Sequence, residues 1–217
     1  MTVVRVWDLP LRLFHWGLVL AVLAMVATVS LGWMEWHMRC GYVVLTLLMF
    51  RLLWGFCGGY WSRFSSFVPG PRLLVQYLQG KTPASAFAGH NPLGALSVLA
   101  MLLALGLQVA SGLGADDEIA TEGPLAAHLS AAWVNLATHY HTKIGKYLVL
   151  LLVVLHVGAI VRYRRLGQDL VTPMVTGDKS LVASTPSSLD SPAMRLRAAL
   201  CLMGCVAMVV MLLRSLG

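Results

Sequence analysis

Five stretches of the chain run almost without polar interruption: Leu13 to Met34, Cys40 to Phe56, Leu93 to Leu113, Ile144 to Val161 and Ala198 to Leu213. Each comes near the roughly 20 apolar residues that a helix needs to cross a bilayer, so the pattern predicts five spanning helices, the second and last being the shortest. Gly55, Gly58 and Gly59 follow the second, and Pro69, Gly70 and Pro71 break up the connection to the third. The stretch "GDKSLVASTPSSLDSP", from Gly177 to Pro192, is polar and rich in small residues, the composition of a linker. The expected fold is therefore an all-α membrane protein with a four-helix transmembrane bundle over residues 1–176. A polar linker over 177–193 and an additional C-terminal transmembrane helix over 194–217 complete it.

Composition agrees: of 217 residues, 58% are apolar and only 12% charged, a balance that belongs in lipid. The net charge of +7 needs no nucleic acid, because its placement reads as topology with some attraction to anionic lipid. Arg5 and Arg12 precede the first span. Arg63, Arg72 and Lys81 lie between the second and third, and Arg162, Arg164, Arg165, Lys179, Arg195 and Arg197 lie between the fourth and fifth. By the positive-inside tendency these are cytoplasmic. Asp116, Asp117, Glu118 and Glu122 gather between the third and fourth spans, which places that loop outside. The expectation is a multi-pass membrane protein, N-terminus cytoplasmic and C-terminus on the outer side. A signal peptide is the competing reading of the first span, but no clear small-residue cleavage site ends it.

Cys40, Cys57, Cys201 and Cys205 sit in or beside apolar spans, where cysteine behaves as a small hydrophobe. No CxxCH motif is present, which argues against covalent haem. No glycine motif for dinucleotides or phosphates appears either.

The seven histidines carry the chemistry. His15 lies near the cytoplasmic start of span one, His37 just before the outer start of span two, His141 at the outer start of span four and His156 toward its cytoplasmic end. His141 and His156 are separated along their helix by roughly 22 Å, close to the hydrocarbon thickness, so they cannot share one ion. Depth pairs His15 with His156 and His37 with His141. Two bis-imidazole sites stacked across a bilayer suit two b-type haems, whose irons take one nitrogen on each face from different helices. Zinc would more often recruit cysteine or carboxylate, and only Glu35 and Cys40 lie near His37. Taken singly, each histidine is as well explained as an interfacial anchor or an interhelical hydrogen-bond donor. His139 is a rival to His141, and His128 lies in the outer loop as a solvated residue. His90, in "GHNPLG", either touches a quinone or propionate or belongs to a helix start made by Asn91 and Pro92.

An ordered series of segments resembles the bacterial cytochrome b561 family and the cytochrome b subunits of membrane-bound nickel–iron hydrogenases. The segments are "VWDLPLRLFHW" (6–16), "WHMRCGYVVLTLLMFRLLWG" (36–55), "RFSSFVPGPRLLVQYLQG" (63–80), "GHNPLG" (89–94), the span from His141 to His156, and "LVTPMVTGDK" (170–179). The resemblance implies two non-covalent haems b, a quinone or quinol site and one-electron transfer across the membrane. It carries the axial-ligand role to His15, His37 and His156 directly. For His141 the family's spacing is one residue tighter and falls on Thr142, a slip that a local bulge or a rotated haem would absorb. Arg5, Arg12, Arg39 and Arg51 are candidate propionate partners, since guanidinium binds carboxylate bidentately. As topology determinants and phosphate anchors they are equally well explained.

The expected function is electron transfer between a quinone pool and a redox partner, with the quinone near His15, His156 and His90. The expected partner is a periplasmic protein such as a c-type cytochrome or a hydrogenase-like enzyme. One alternative is a free-standing superoxide:quinone oxidoreductase that attracts its anion with Lys143 and Lys146. Another, from a different class, is a haem-free metal transporter using histidine and methionine.

Overall fold

The computed structural model describes residues 2–83, 86–119, 121–181 and 185–216. In chain order it runs β1 (Thr2–Arg5), α1 (Leu9–Ser30), α2 (Met34–Cys57), a 3-10 turn at Tyr60–Ser62, α3 (Phe64–Phe67), α4 (Pro71–Leu78) and α5 (Pro92–Leu113). A second 3-10 turn at Ala126–His128 leads into α6 (Ala131–His139), a π-helical turn at Tyr140–Gly145, and α7 (Lys146–Arg165). Last come α8 (Val171–Thr176), β2 (Asp178–Leu181) and α9 (Pro192–Leu216). Among the described residues, five helices are long and apolar enough to cross a membrane: α1, α2, α5, the continuous helix Ala131–Arg165, and α9. The protein is an all-α, multi-pass membrane protein.

The fourth span is longer than its apolar run suggests. It begins at Ala131 and extends over 35 residues, about 52 Å at 1.5 Å per residue, so His139 and His141 lie within a helix and not at its entrance. Asn135, Thr138 and His139 dilute the hydrophobic pattern there, which is why the sequence alone starts the span at Ile144.

The chain folds as two compact units. One comprises residues 1–14, 51–100 and 154–201; the other comprises 15–50, 101–153 and 202–217. In the second, Ala21 of α1, Val44 and Leu48 of α2, Ala104, Leu105 and Val109 of α5, and Val149 of α7 form a buried core. Small and β-branched side chains at such contacts let helices approach closely where lipid offers no hydrophobic drive to associate. Leu20, Leu103 and Met211 are exposed, as residues facing acyl chains should be.

In the first unit the polar groups make the architecture. Asp8 is fully buried and accepts four donors. They are Leu11 N at 2.8 Å, which caps α1, Trp54 Nε1 at 3.1 Å, Gly59 N at 3.1 Å and Ser62 Oγ at 2.5 Å. A buried carboxylate is tolerable only when its lone pairs are satisfied in this way. Asn91 Oδ1 caps α5 by accepting from Gly94 N at 2.8 Å, with Pro92 opening the helix.

The stretch expected as a linker is threaded into this unit. Its residues 178–181 form β2, antiparallel to β1 with Val3 opposite Ser180. Gly177 precedes it at φ +94°, and a Cβ there would come within 2.7 Å of the Trp7 carbonyl, so only glycine makes this turn without strain. Arg5 binds Asp178 at 2.5 Å and Asp190 at 2.7 Å, and Arg195 also reaches Asp190 at 2.9 Å. Alternation of small polar residues is equally typical of a loop and a short strand, so periodicity could not separate them.

Candidate functional site

His37, near the start of α2, and His141, inside the π turn, face each other. Their ring centroids are 6.2 Å apart and their planes nearly perpendicular, at 82°. Each ring commits Nδ1 to a backbone carbonyl: His37 to Met25 at 3.1 Å and His141 to Gln108 at 2.8 Å. With Nδ1 protonated and held, Nε2 is the nitrogen left to bind a metal, the usual outer arrangement for a ligating imidazole. With metal–nitrogen bonds of about 2 Å, two imidazoles on opposite faces of one iron have centroids about 6.3 Å apart. The observed separation fits that arrangement. A tetrahedral ion would need further ligands, and among the described residues no group of three or more His, Cys, Asp or Glu side chains is arranged to hold one. Glu35 is instead paired with Arg39 at 2.5 Å.

The π turn explains the spacing from His141 to His156. Such a turn takes up one residue more than an α-helix, so His141 stands where a straight helix would place Thr142. Thr142 turns its hydroxyl to the carbonyl of Thr138 at 2.8 Å and is exposed, as is His139. Two glycines make the turn and the ring fit. A Cβ on Gly112 would lie 2.7 Å from His141 Cε1, and one on Gly145 would collide with the Gln108 and Tyr140 side chains. Gln108 is a residue that sequence reasoning missed; its signal is that it is the lone amide in the apolar run Leu93 to Leu113.

His15 and His156 belong to different units. His15 stands on α1 with the ring of Trp16 edge-on at 5.0 Å, and His156 lies at the middle of α7.

Of the four candidate arginines, Arg5 is occupied by Asp178 and Asp190, and Arg39 by Glu35 and by the face of Trp36 at 4.9 Å. Arg12 donates to the Val175 carbonyl and lies 3.9 Å from Asp190. Arg51 differs. It is 2% exposed, lies over Phe64 at 4.8 Å and Phe67 at 5.8 Å, and its Nη1 has no hydrogen-bond acceptor among the described residues.

His90 packs between Trp7 and Phe67, at 4.7 and 5.0 Å, on the wall of a cavity of about 850 Å³ in the first unit. Trp61, Phe67, Phe87 and Lys179 also line it. Lys179 Nζ donates to the carbonyls of Phe87 and Ala88 at 3.2 and 3.1 Å, and burial lowers its pKa. Asp178 in the same wall is spent on Arg5, and Asp169 Oδ1 accepts from Val171 N and Thr172 N. The cavity thus offers aromatic plates with a cationic donor, chemistry suited to a planar molecule bearing oxygen acceptors.

A helical membrane protein with opposed imidazoles between its spans is of the class built to hold a prosthetic group within the bilayer. The profile of the prokaryotic cytochrome b561 family matches residues 6–177, and the chain belongs to that family, whose members are membrane haem b electron-transfer proteins. Two curated relatives are each named a probable Ni/Fe-hydrogenase B-type cytochrome subunit. That of Azotobacter vinelandii is 25% identical over 213 residues, covering 81% of this chain and 88% of the relative. That of Bradyrhizobium diazoefficiens is 22% identical over 214 residues, covering 81% and 85%. No solved structure matches the chain. Helix α9 lies beyond the residues the family profile matches.

Proposed function

We propose that the protein holds two haems b and transfers electrons across the bacterial inner membrane, between a quinone or quinol and a periplasmic redox partner. His37 with His141 are the outer ligands and His15 with His156 the inner ones. The observation that carries the reading is the 6.2 Å separation of the His37 and His141 rings with both Nδ1 atoms held by carbonyls. Haem b, when bound, supplies a one-electron iron couple with no open coordination position. The chain's own contribution is to fix both imidazoles in the metal-binding tautomer and to surround them with apolar side chains that exclude water. Arg51 is the propionate partner: a planar guanidinium with a buried, unpartnered Nη1 calls for a carboxylate.

The quinone belongs in the cavity beside His90, where Trp61, Phe67 and Phe87 would flank a ring and Lys179 would donate to its oxygen. The excess of arginine and lysine in the loops of the first unit reads as cytoplasmic, with the N-terminus inside and the C-terminus outside. The exposed Trp33, Trp36 and Trp133 suit a membrane interface as an aromatic belt. A hydrogenase-like enzyme is the partner that the relatives' names support, with a c-type cytochrome as the other candidate.

The test is a pyridine haemochrome assay with protein quantitation on the wild type, His141→Ala and His139→Ala. Two haems falling to one only in His141→Ala is the expected result. No haem band, or equal loss in both variants, refutes it. Superoxide-dependent quinone reduction by the purified protein alone, abolished by removing the exposed charges of Lys143 and Lys146, would point instead to the free-standing oxidoreductase.

A further inference from the structure

We infer that Gln108, on α5, is a positioning residue for the outer haem, acting through the π turn that carries His141; this rests on His141 being a haem ligand. Gln108 touches that turn twice. Its backbone carbonyl accepts from His141 Nδ1 at 2.8 Å, and its side-chain Nε2 donates to the His141 carbonyl at 3.1 Å. The i→i+5 bonds of a π turn are poorer than those of an α-helix and the turn is locally strained, so inside a membrane, where no water can help, an additional donor to one of its carbonyls holds it in place. Gln108 provides that donor, so the same residue that orients the imidazole also secures the backbone irregularity that sets its register.

The side-chain oxygen, Oε1, is tightly enclosed, buried with no hydrogen-bond partner among the described residues. It packs where a Cβ on Gly145 would stand, so glycine at 145 is what lets the amide reach the turn. Without the amide, the helix gains by closing its ordinary ladder. Closing it returns the extra residue to the ladder, one more helical step between His141 and α7, and swings position 141 by about 100° around the axis. The ring would then leave its opposition to His37. Gln108 thus selects the helix register in which the ligand faces its partner.

The experiment uses the full-length, haem-loaded protein in detergent. Gln108→Met keeps the bulk without the donor, and Gln108→Glu, whose protonated carboxyl still donates, is the rescue. Redox titration and low-temperature EPR are read alongside haem content, with His141→Ala marking which haem is the outer one. Near-perpendicular imidazole planes give a strongly anisotropic low-spin signal. The expected result is that Gln108→Met changes the outer haem's reduction equilibrium tenfold or more, about 59 mV for one electron, and alters its anisotropy. The inner haem should stay as it is, and Gln108→Glu should behave as wild type at a pH where its carboxyl is protonated. Gly145→Ala, which presses on Gln108 from the other side, should reproduce the shift. Unchanged potential and EPR in both Gln108→Met and Gly145→Ala, with one haem lost in His141→Ala, would overturn the role of Gln108 alone. Two haems retained in His141→Ala would overturn the ligand assignment and the inference together.

Discussion

A methyl group at position 112 should loosen the outer haem. The Cβ of Gly112→Ala would stand 2.7 Å from His141 Cε1, 3.0 Å from Nδ1 and 3.5 Å from Nε2, closer than carbon and nitrogen tolerate, so the ring must move. Overpacking of this kind costs about 1–3 kcal/mol, and displacing Nδ1 from the Gln108 carbonyl costs about 0.5–1.5 kcal/mol more. A combined loss of roughly 2–4 kcal/mol corresponds to roughly 30- to 700-fold weaker haem retention at one site. Gly106→Ala on the same helix is the control, since nothing lies within 4 Å of its Cβ. The assay is haem content after challenge with excess apomyoglobin, with EPR of what is retained. Equal retention and unchanged EPR in Gly112→Ala and Gly106→Ala would refute the packing of His141 against α5.

Three further outcomes follow from the first unit. Asp8→Ala strands four buried donors; at roughly 1 kcal/mol each the loss is on the order of 4 kcal/mol, visible as a lowered thermal midpoint in detergent, and a shift under 2 °C would contradict it. Arg51→Leu should release one haem more readily at little cost to the fold, because it removes a buried guanidinium whose Nη1 has no protein acceptor among the described residues; a lower thermal midpoint with normal haem content would contradict the propionate role. Partial burial by itself raises the Asp190 carboxyl, but hydrogen bonds and charge from Arg195 and Arg5 outweigh it and hold it below the ordinary range. A carboxyl depressed by folding adds stability that is complete above its unfolded value of about 3.9 and vanishes as pH falls through the folded one. The hydrogen-exchange protection factors of the amides pairing β1 with β2, taken against intrinsic rates at each pH, should therefore fall only below about pH 4, and a fall between pH 8 and 6 would point to another group.

Hydrophobic runs determined the five spans without help from tertiary structure, because lipid forces every backbone group to be satisfied within its own helix. The same physics made His15, His37, His141 and His156 conspicuous, since an imidazole is expensive in a span and is kept there for a reason. Asn91 and Pro92 likewise announced the start of α5, capping being local chemistry. Other features waited for the fold because they depend on partners distant in the chain. The pairing of residues 2–5 with 178–181, the four donors on Asp8, and the occupation of Arg5 by Asp178 and Asp190 are contacts over long separations, invisible to any window of sequence. The register of His141 belongs to the same group. Counting residues put Thr142 at the family's ligand position, and only the π turn, with Gln108, Gly112 and Gly145 packed around it, brings His141 to face His37. Sequence determines which residues enter the membrane and which are chemically able to act there. Which way they point depends on a backbone irregularity in one helix that packs against, and is hydrogen-bonded by, another.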